Sequence, residues 1–170
     1  MNSQLAPPVI VVMGVTGCGK TTVGEWIGAR LGLPFEDGDK LHPQANIDKM
    51  ASGHPLTDGD RWPWLEAVGR WLGDHESGGG VVGCSALKRS YRDAIRAHAP
   101  DVLFVHLTGS IETIIERVSH RAGHFMPTSL VQSQFDTLEP PGQDEKCFPV
   151  SFELPVGQIV DRVAAYLELS

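Results

Sequence analysis

The sequence predicts an α/β protein in which a parallel β-sheet is covered by helices on both faces. Short apolar runs alternate with amphipathic segments along the chain, and the first apolar run leads through a glycine-rich loop into a helix-like segment. With 170 residues, of which 41% are hydrophobic, the chain can bury one sizeable core. We therefore expect a single domain over residues 1–170.

The first strand and the first helix follow from two different periodicities. The run VIVVM at 9–13 contains no polar residue, which is typical of a buried strand. The segment 20–31 places Val23, Ile27 and Leu31 at helical spacing. Together they predict a strand, a glycine loop and a helix in succession.

The same alternation continues to the end of the chain. Further strands are predicted at 34–37, 81–86, 102–107 and 148–154. Further helices are predicted near 43–51 and at 62–74, 88–98, 110–121 and 156–168, with Ser110 as an N-cap. Because strands joined through helices run parallel, their carboxyl ends meet at one edge of the sheet, where ligands bind.

Two insertions interrupt the alternation, at 37–62 and 122–146. Both are polar and rich in Gly, Pro, Asp and Gln, and both are too long for simple turns. Loops of this length in a compact domain are usually functional or disordered. We expect a substrate-binding segment in the first insertion and a closing lid in the second.

Composition argues against several partners. The formal net charge of −7 disfavours nucleic acid, whose binders usually carry a basic surface. No apolar run is long enough to cross a membrane, and the start MNSQLAPP lacks the features of a secretory signal. Cys18, Cys84 and Cys147 show no C-x-x-C spacing, so neither a disulfide framework nor a zinc site is indicated. A cytoplasmic location is expected.

The glycine loop itself, GVTGCGKT at 14–21, matches G-x-x-x-x-G-K-S/T, the P-loop. Its glycines let the backbone approach a phosphate closely, and the N–H groups at a helix N-terminus can bind that anion. Lys20 would contact the β- and γ-phosphates, and the Thr21 hydroxyl would bind Mg²⁺. The strand and helix on either side favour this reading over a plain glycine turn. The predicted nucleotide-binding residues of the segment are Gly14, Val15, Thr16, Gly17, Cys18, Gly19, Lys20, Thr21 and Thr22.

Two acids follow the second predicted strand. Asp37 and Asp39 are two residues apart, so on an extended strand they share a face. Kinase chemistry needs one carboxylate near the attacking hydroxyl and another near Mg²⁺. The residue pattern alone leaves a tight Asp-Gly-Asp turn equally open.

Cations follow other strand ends and predict a small anionic acceptor. Arg61 lies in the first insertion, and Ser85, Lys88 and Arg92 follow the third strand. Each cation alone is compatible with a solvated surface. Arg61 is the best candidate to bind a carboxylate, because a guanidinium can hold one through two hydrogen bonds.

The second insertion is preceded by two arginines on one helical face, Arg117 and Arg121. An arginine carried by a closing lid could offset charge on a transferring phosphoryl group. The alternative is pairing with Glu112 or Glu116 on the surface. His42 and His124 lie in the two insertions and are candidates to hydrogen-bond substrate hydroxyls.

Four long segments together resemble the P-loop gluconate kinases, or gluconokinases. They are MGVTGCGKTTV, DGDKLHPQANIDKMASGHPLTDGDRWPWL, CSALKRSYRDAIR and RAGHFMPTSLVQSQFDTLEPP, and the resemblance runs from about residue 8 to the last helix. It implies a P-loop kinase fold with five parallel strands in the order 2-3-1-4-5, and a homodimer. It also implies ATP- and Mg²⁺-dependent transfer of a phosphoryl group to the 6-hydroxyl of D-gluconate.

The resemblance also implies roles by position. Lys20, Asp39 and Arg121 would be catalytic, Thr21 and Asp37 would serve Mg²⁺, and Arg117 and Arg121 would contact the nucleotide. The acceptor contacts would be Asp39, His42, Arg61, Ser85, Lys88 and His124. The segment VVGCSALK lacks the aspartate that many P-loop proteins use for Mg²⁺, so Asp37 must serve the metal from the sheet.

Alternatives remain at this point. A regulatory GTPase is disfavoured, since the sequence contains neither N-K-x-D nor D-x-x-G. An ATP-binding sensor would have no use for cations on the acceptor side. Residue chemistry alone leaves open a kinase of the same fold that acts on another hydroxy acid, such as shikimate, and only the family motifs favour gluconate.

Overall fold

The computed structural model describes residues 7–119 and 128–169. Within these residues, five parallel strands form one sheet in the order β2-β3-β1-β4-β5. The predicted α/β fold class and the implied strand order are both confirmed. No helix in the described ranges is long and apolar enough to cross a bilayer.

The strands are β1 (Val9–Met13), β2 (Phe35–Asp37), β3 (Gly80–Gly83), β4 (Leu103–Thr108) and β5 (Cys147–Ser151). The helices are α1 (Lys20–Leu31), α2 (Gln44–Ala51), α3 (Asp58–Asp74), α4 (Arg89–Arg96), α5 (Ile111–Ser119), α6 (Thr128–Thr137) and α7 (Val156–Leu169). A 3₁₀ turn, Gly38–Leu41, follows β2.

The central position of strand β1 in the sheet explains why its sequence is wholly apolar. Its side chains alternate between two cores: Ile10 and Val12 face one, and Val11 and Met13 face the other. Helices α1 and α7 contribute to the first core, and α3 and α4 to the second. A strand covered on both faces cannot carry an unpaired polar side chain without a desolvation penalty.

Helix α3 begins four residues before the predicted start at 62. Thr57 caps it, because its hydroxyl accepts the Asp60 N–H at 3.2 Å and the Asp60 carboxylate accepts the Thr57 N–H at 2.9 Å. This reciprocal cap satisfies two N–H groups that have no partner within the helix. Pro63 lies inside the helix, in its second turn.

Helix α6 is the element that the sequence prediction missed. Residues 122–146 were expected to be a lid without regular structure, yet Thr128–Thr137 is helical. Its Val131 is completely buried, and Phe135 and Leu138 pack against the same core. This apolar stripe at helical spacing was hidden among polar residues. The end of the helix predicted over 110–121 lies outside the described residues.

The strand order brings three loops together at one edge of the sheet. Neighbouring strands β2, β3 and β1 end in the 3₁₀ turn, the segment 84–88 and the glycine loop, respectively. Strand β3 ends at Gly83, three residues before the predicted end, so residues 84–88 are a loop. The Gly14 N–H donates to the Ser85 carbonyl at 3.2 Å, which links two of the three loops directly.

Candidate active site

The glycine loop joins β1 to α1 and opens into a cavity of about 810 Å³. Gly17 adopts a φ of +82°, and a Cβ on it would lie only 3.0 Å from a methyl carbon of Val118. Glycine at this position therefore satisfies both the backbone angle and the packing. The cavity is lined by the loop residues Thr16, Gly17, Gly19, Lys20, Thr21 and Thr22.

The rest of the cavity wall comes from two other parts of the fold. Asp39, from the turn after β2, lines one part of it. Thr113, Glu116 and Arg117 of α5 line another part. The volume lies within the range of small-molecule sites in proteins. One cavity thus contains both the phosphate-binding loop and the carboxylate that the sequence analysis assigned to the acceptor hydroxyl.

The Lys20 ammonium lies over the start of its own loop. Its Nζ donates to the carbonyl oxygens of Gly14 and Val15, both at 3.1 Å. The phosphate-binding charge is therefore already held at the loop.

The segment after β2 is a tight Asp-Gly-Asp turn that also brings a carboxylate to the cavity, so both interpretations of the sequence apply. Asp37 caps the 3₁₀ turn, because its Oδ1 accepts the Asp39 N–H at 2.9 Å. A Cβ on Gly38 would lie 2.4 Å from the Gly83 carbonyl oxygen, so only glycine fits there. The Gly38 carbonyl also accepts the indole N–H of Trp64 at 2.8 Å. This tight turn fixes the backbone from which Asp39 enters the cavity.

The residues near the loop fit a magnesium ion that is bound together with phosphates. Thr21 lines the cavity, whereas Asp37 does not belong to its described lining. One Asp37 carboxylate oxygen accepts the Asp39 N–H, which leaves the other for a water bound to the metal. Over the described ranges, no group of three or more His, Cys, Asp or Glu residues could hold a metal ion. Mg²⁺ normally needs only one or two protein ligands, since phosphates and water complete its shell.

The predicted acceptor cations converge on a residue that the sequence analysis missed, Asp58. Its Oδ1 accepts the Tyr91 hydroxyl at 2.5 Å, and its Oδ2 accepts from Lys88 Nζ at 3.2 Å. Arg61 lies 3.6 Å from the same carboxylate and donates to the Tyr91 oxygen at 3.2 Å. Hydrogen bonds from Tyr91 and Lys88 lower the pKa of Asp58. Arg61 and Lys88 are thus brought together by side chains from α3 and α4.

His42 packs beside Trp64 and Asn46, within range of the charges of Asp39 and Arg61. Its ring stacks on Trp64 with centroids 4.2 Å apart, and its Nδ1 lies 3.2 Å from the Asn46 side-chain nitrogen. Burial lowers the pKa of His42, while the charge of Asp39 raises it and that of Arg61 lowers it further. The net lowering keeps the imidazole neutral near pH 7, so it can donate or accept a hydrogen bond.

Arg117 lies on the opposite side of the glycine loop. Its Nη2 donates to the Phe152 carbonyl at 2.7 Å, and its guanidinium lies 5.1 Å from the centre of the Phe152 ring. Its partner among the described residues is therefore Phe152 rather than Glu112 or Glu116. Arg117 also borders a second cavity of about 450 Å³, which extends past Cys18 to the segment 152–156.

Arg92 has a different environment from the one that the sequence suggested. It is fully buried, and it pairs with Glu145 at 2.7 and 3.1 Å. It also donates to the Ala86 carbonyl at 2.8 Å. Ala86 has a φ of +47°, an uncommon angle for a residue with a side chain. Arg92 is therefore unavailable to a ligand and instead holds the loop that carries Ser85 and Lys88.

Glu145 completes this buried ion pair. Burial by itself would raise its pKa, but hydrogen bonds from Arg92, the Gly142 N–H and Arg96 outweigh burial and lower the pKa to about 2. Glu145 is thus ionised at neutral pH. Two further predicted site residues, Arg121 and His124, lie outside the described residues.

The chain is similar to known kinases in sequence and in structure. The family model for shikimate kinase matches residues 16–138. A gluconokinase of Gluconobacter oxydans (strain 621H) is 50% identical over 151 residues, which are 88% of this chain and 85% of that protein. The thermosensitive gluconokinase of Escherichia coli (strain K12) is 46% identical over 144 residues, or 84% of this chain and 77% of that protein.

A solved gluconokinase structure is also similar to this chain. The crystal structure of a gluconokinase from Sinorhizobium meliloti 1021 aligns with a TM-score of 0.83 and 49% sequence identity. The alignment covers 96% of this chain and 97% of that chain. The family model and the relatives name different acceptors, so any assignment of the acceptor rests on the relatives.

Proposed function

The chain belongs to the gluconokinases, a group of P-loop kinases, and from this premise we propose that it uses ATP and Mg²⁺ to phosphorylate the 6-hydroxyl of D-gluconate. The products are 6-phospho-D-gluconate and ADP. The observation that carries this proposal is the cavity that Asp39 and the residues of the glycine loop both line.

The reaction needs an acceptor hydroxyl next to the terminal phosphate. The loop N–H groups and Lys20 bind the β- and γ-phosphates and offset the charge that spreads over the transferring group. Asp39 accepts a hydrogen bond from the 6-hydroxyl and takes its proton as the bond to phosphorus forms. Its exposed position on the cavity wall supports this role.

The two ends of gluconate require two separate sets of contacts. The reacting hydroxyl and the carboxylate lie at opposite ends of the molecule. A cationic site for the carboxylate must therefore lie at some distance from Asp39, which binds the hydroxyl. Arg61 and Lys88 provide it, and their shared partner Asp58 holds them together. The pKa of His42 responds to the charges of both Asp39 and Arg61. Neutral His42 would hydrogen-bond the hydroxyls between the two ends of gluconate, and Ser85, in the loop after β3, would be a further contact.

Thr21 and Asp37 would hold Mg²⁺, directly or through water. When bound, the ion neutralises phosphate charge and helps to orient the terminal phosphoryl group. The second cavity, next to Arg117 and the largely apolar segment 152–156, suits the adenine ring. Arg121 and His124 remain predicted contacts of the lid.

The position of phosphorylation is tested by phosphorus NMR of the product made from ATP and gluconate. We expect one phosphomonoester at carbon 6, and we expect EDTA to abolish turnover. A phosphate on another carbon would contradict the assignment of Asp39 to the 6-hydroxyl. Full activity in EDTA would contradict the metal assignment.

Shikimate is the alternative acceptor that the family model names. Identities of 46–50% to gluconokinases favour gluconate. Turnover with shikimate but not gluconate would reverse this choice.

We further propose a homodimer and a cytoplasmic location, as the family resemblance and the cysteine pattern imply. All three cysteines are free, which fits a reducing compartment. Trp26 and Met50 are large apolar side chains that are exposed in the single chain and are candidates for a subunit contact. Sedimentation velocity tests the dimer, and a monomer at micromolar concentration would contradict it.

A further inference from the structure

Helix α6 is hydrogen-bonded to the phosphate loop by the side chain of Gln134. Its Oε1 accepts the backbone N–H of Thr16 at 3.1 Å, although the two residues are 118 positions apart in the sequence. Because the Thr16 N–H can only donate, the side-chain oxygen must face it, and the orientation of the Gln134 amide is fixed.

The helix that carries Gln134 is anchored to the body of the fold on both sides of this residue. Val131 is completely buried, and Phe135 and Leu138 pack against the same core. Just beyond the helix, the Glu139 N–H donates to the Leu87 carbonyl at 2.8 Å. A side chain on so firmly held a helix can position a loop rather than follow it.

The contact extends to Lys20 through a single peptide group. The Thr16 N–H and the Val15 carbonyl belong to the same planar unit and point in opposite directions. Gln134 holds the N–H end, while the Val15 carbonyl accepts from Lys20 Nζ at 3.1 Å and from the Cys18 N–H at 3.3 Å. Fixing one end of a rigid group fixes the other.

We propose that Gln134 is a positioning residue for phosphoryl transfer. It sets the Val15–Thr16 peptide plane, and thereby the loop and the Lys20 ammonium, before the nucleotide arrives, and it keeps this bond when the nucleotide is bound. The inference rests on the proposed nucleotide function of the loop. It adds that helix α6, within the segment predicted as a lid, helps to build the phosphate site.

Gln134→Met tests the bond, because methionine keeps the size and helix preference of glutamine but removes the acceptor. We expect ADP to bind about three- to ten-fold more weakly, as for the loss of one hydrogen bond. The kcat should fall by a similar factor, whereas the KM for gluconate at saturating ATP should stay unchanged. Isothermal titration with ADP and steady-state kinetics measure these quantities.

Gln134→Glu tests whether the residue stays next to the phosphates. The carboxylate can still accept the Thr16 N–H, but its charge should weaken ADP binding by about a further ten-fold relative to the methionine variant. Gln132→Glu is the matched control. It is on the same helix but exposed and bonded to Asp136, so it should change ADP binding by no more than about two-fold.

Several outcomes would overturn the inference. ADP binding by Gln134→Met at the wild-type level would show that the bond positions nothing, and tighter binding would show a latch that the nucleotide must open. Equal ADP affinity of the glutamate and methionine variants would place Gln134 away from the bound phosphates. If Gln134→Met fails to fold by circular dichroism, the comparison of Gln134→Glu with Gln132→Glu still decides. A wild-type protein that binds no ADP would instead contradict the proposed function itself.

Discussion

The proposed nucleotide end and the proposed acceptor end of the site are built in different ways. The nucleotide end is formed mainly by a continuous stretch, residues 14–22. There the phosphates would be bound by backbone N–H groups and one lysine, with glycines that permit the loop conformation. The acceptor end is assembled from side chains of three separate segments, with Asp39 after β2, Arg61 on α3 and Lys88 just before α4.

This difference determines how each end is stabilised. The loop is held by its own carbonyls and by packing on α5, where Val118 lies against Gly17. The acceptor cations depend on Asp58, and the loop that carries Lys88 depends on the buried pair Arg92–Glu145. The loop should therefore tolerate changes at residues that do not contact it, whereas a site made of paired charges should be sensitive to the loss of either partner in a pair.

The largest effect is expected from Lys20→Ala at the nucleotide end. The transferring phosphoryl group would lose its main cationic partner in the loop, so kcat should fall by about 10²- to 10³-fold. Steady-state ADP release measures this. Lys146→Ala removes the same charge at an exposed site, where the lysine only bonds the Asp101 carbonyl, and should behave as wild type. Near-normal turnover by Lys20→Ala would refute the assignment of the loop.

Asp39→Asn tests the point where the two ends meet. An amide cannot take the proton of the acceptor hydroxyl, so kcat should fall by about 10²-fold while ATP affinity is largely kept. Kinetics and ATP titration separate the two quantities. Asp48→Asn is the control, because it removes the charge of an exposed carboxylate on α2. A collapse of ATP affinity in Asp39→Asn would instead assign Asp39 to the metal.

Arg61→Ala should separate the ends most clearly. Loss of a charged hydrogen-bond donor to the acceptor carboxylate should raise the KM for gluconate by about 10- to 100-fold, with a much smaller change in the KM for ATP. Arg70→Ala on the same helix removes an exposed arginine that pairs with Glu66 and should change neither KM. The reverse pattern would move Arg61 to the nucleotide side.

A further effect, on stability rather than on turnover, is expected from the buried His106. Burial, with a further contribution from the Arg92 charge, lowers the pKa of His106 to about 4. Between pH 6.5 and 4 the unfolded chain therefore binds a proton that the folded chain does not, so stability falls as the pH falls through this range. The loss should reach about 3 kcal/mol, from the size of the shift.

Urea unfolding at pH 7 and pH 5 measures the larger part of this loss, about 2 kcal/mol. The replacement of His106 by Gln should remove much of the pH dependence above pH 4.5, whereas exposed His54→Gln should keep it. Below pH 4.5 a second loss is expected, because Glu145 has a folded pKa of about 2 and its ion pairs are lost on protonation. Equal stability of the wild type at pH 7 and pH 5 would contradict this view of His106.

The sequence predicts most where a local pattern determines the structure. The P-loop motif, strand β1 and helix α1 follow from neighbouring residues, and all three lie where they were expected. Arg61 and Arg92 show the limit, because both are arginines near a strand end, yet one is half-exposed beside Asp58 and the other is fully buried against Glu145. Only the distant partner distinguishes them.

The missed elements have the same physical origin. Helix α6 carries a short apolar stripe in a polar segment, and its role depends on the Val131 and Gln134 contacts with distant parts of the chain. Asp58 could have been found from the spacing Thr57-x-x-Asp60, which marks the start of α3 and places Asp58 three residues before Arg61. Its bond to Tyr91, 33 positions away, could not.

The most direct test of the proposed reaction is ADP release by the purified protein with Mg-ATP and a panel of acceptors. The panel contains gluconate, shikimate, other sugar acids, glucose and AMP. We expect turnover with gluconate, as the similarity to gluconokinases implies, and none with glucose, which lacks the carboxylate that Arg61 is proposed to bind. Turnover with another acid and not with gluconate would contradict the proposed acceptor, and ATP binding without turnover on any acceptor would contradict catalysis itself.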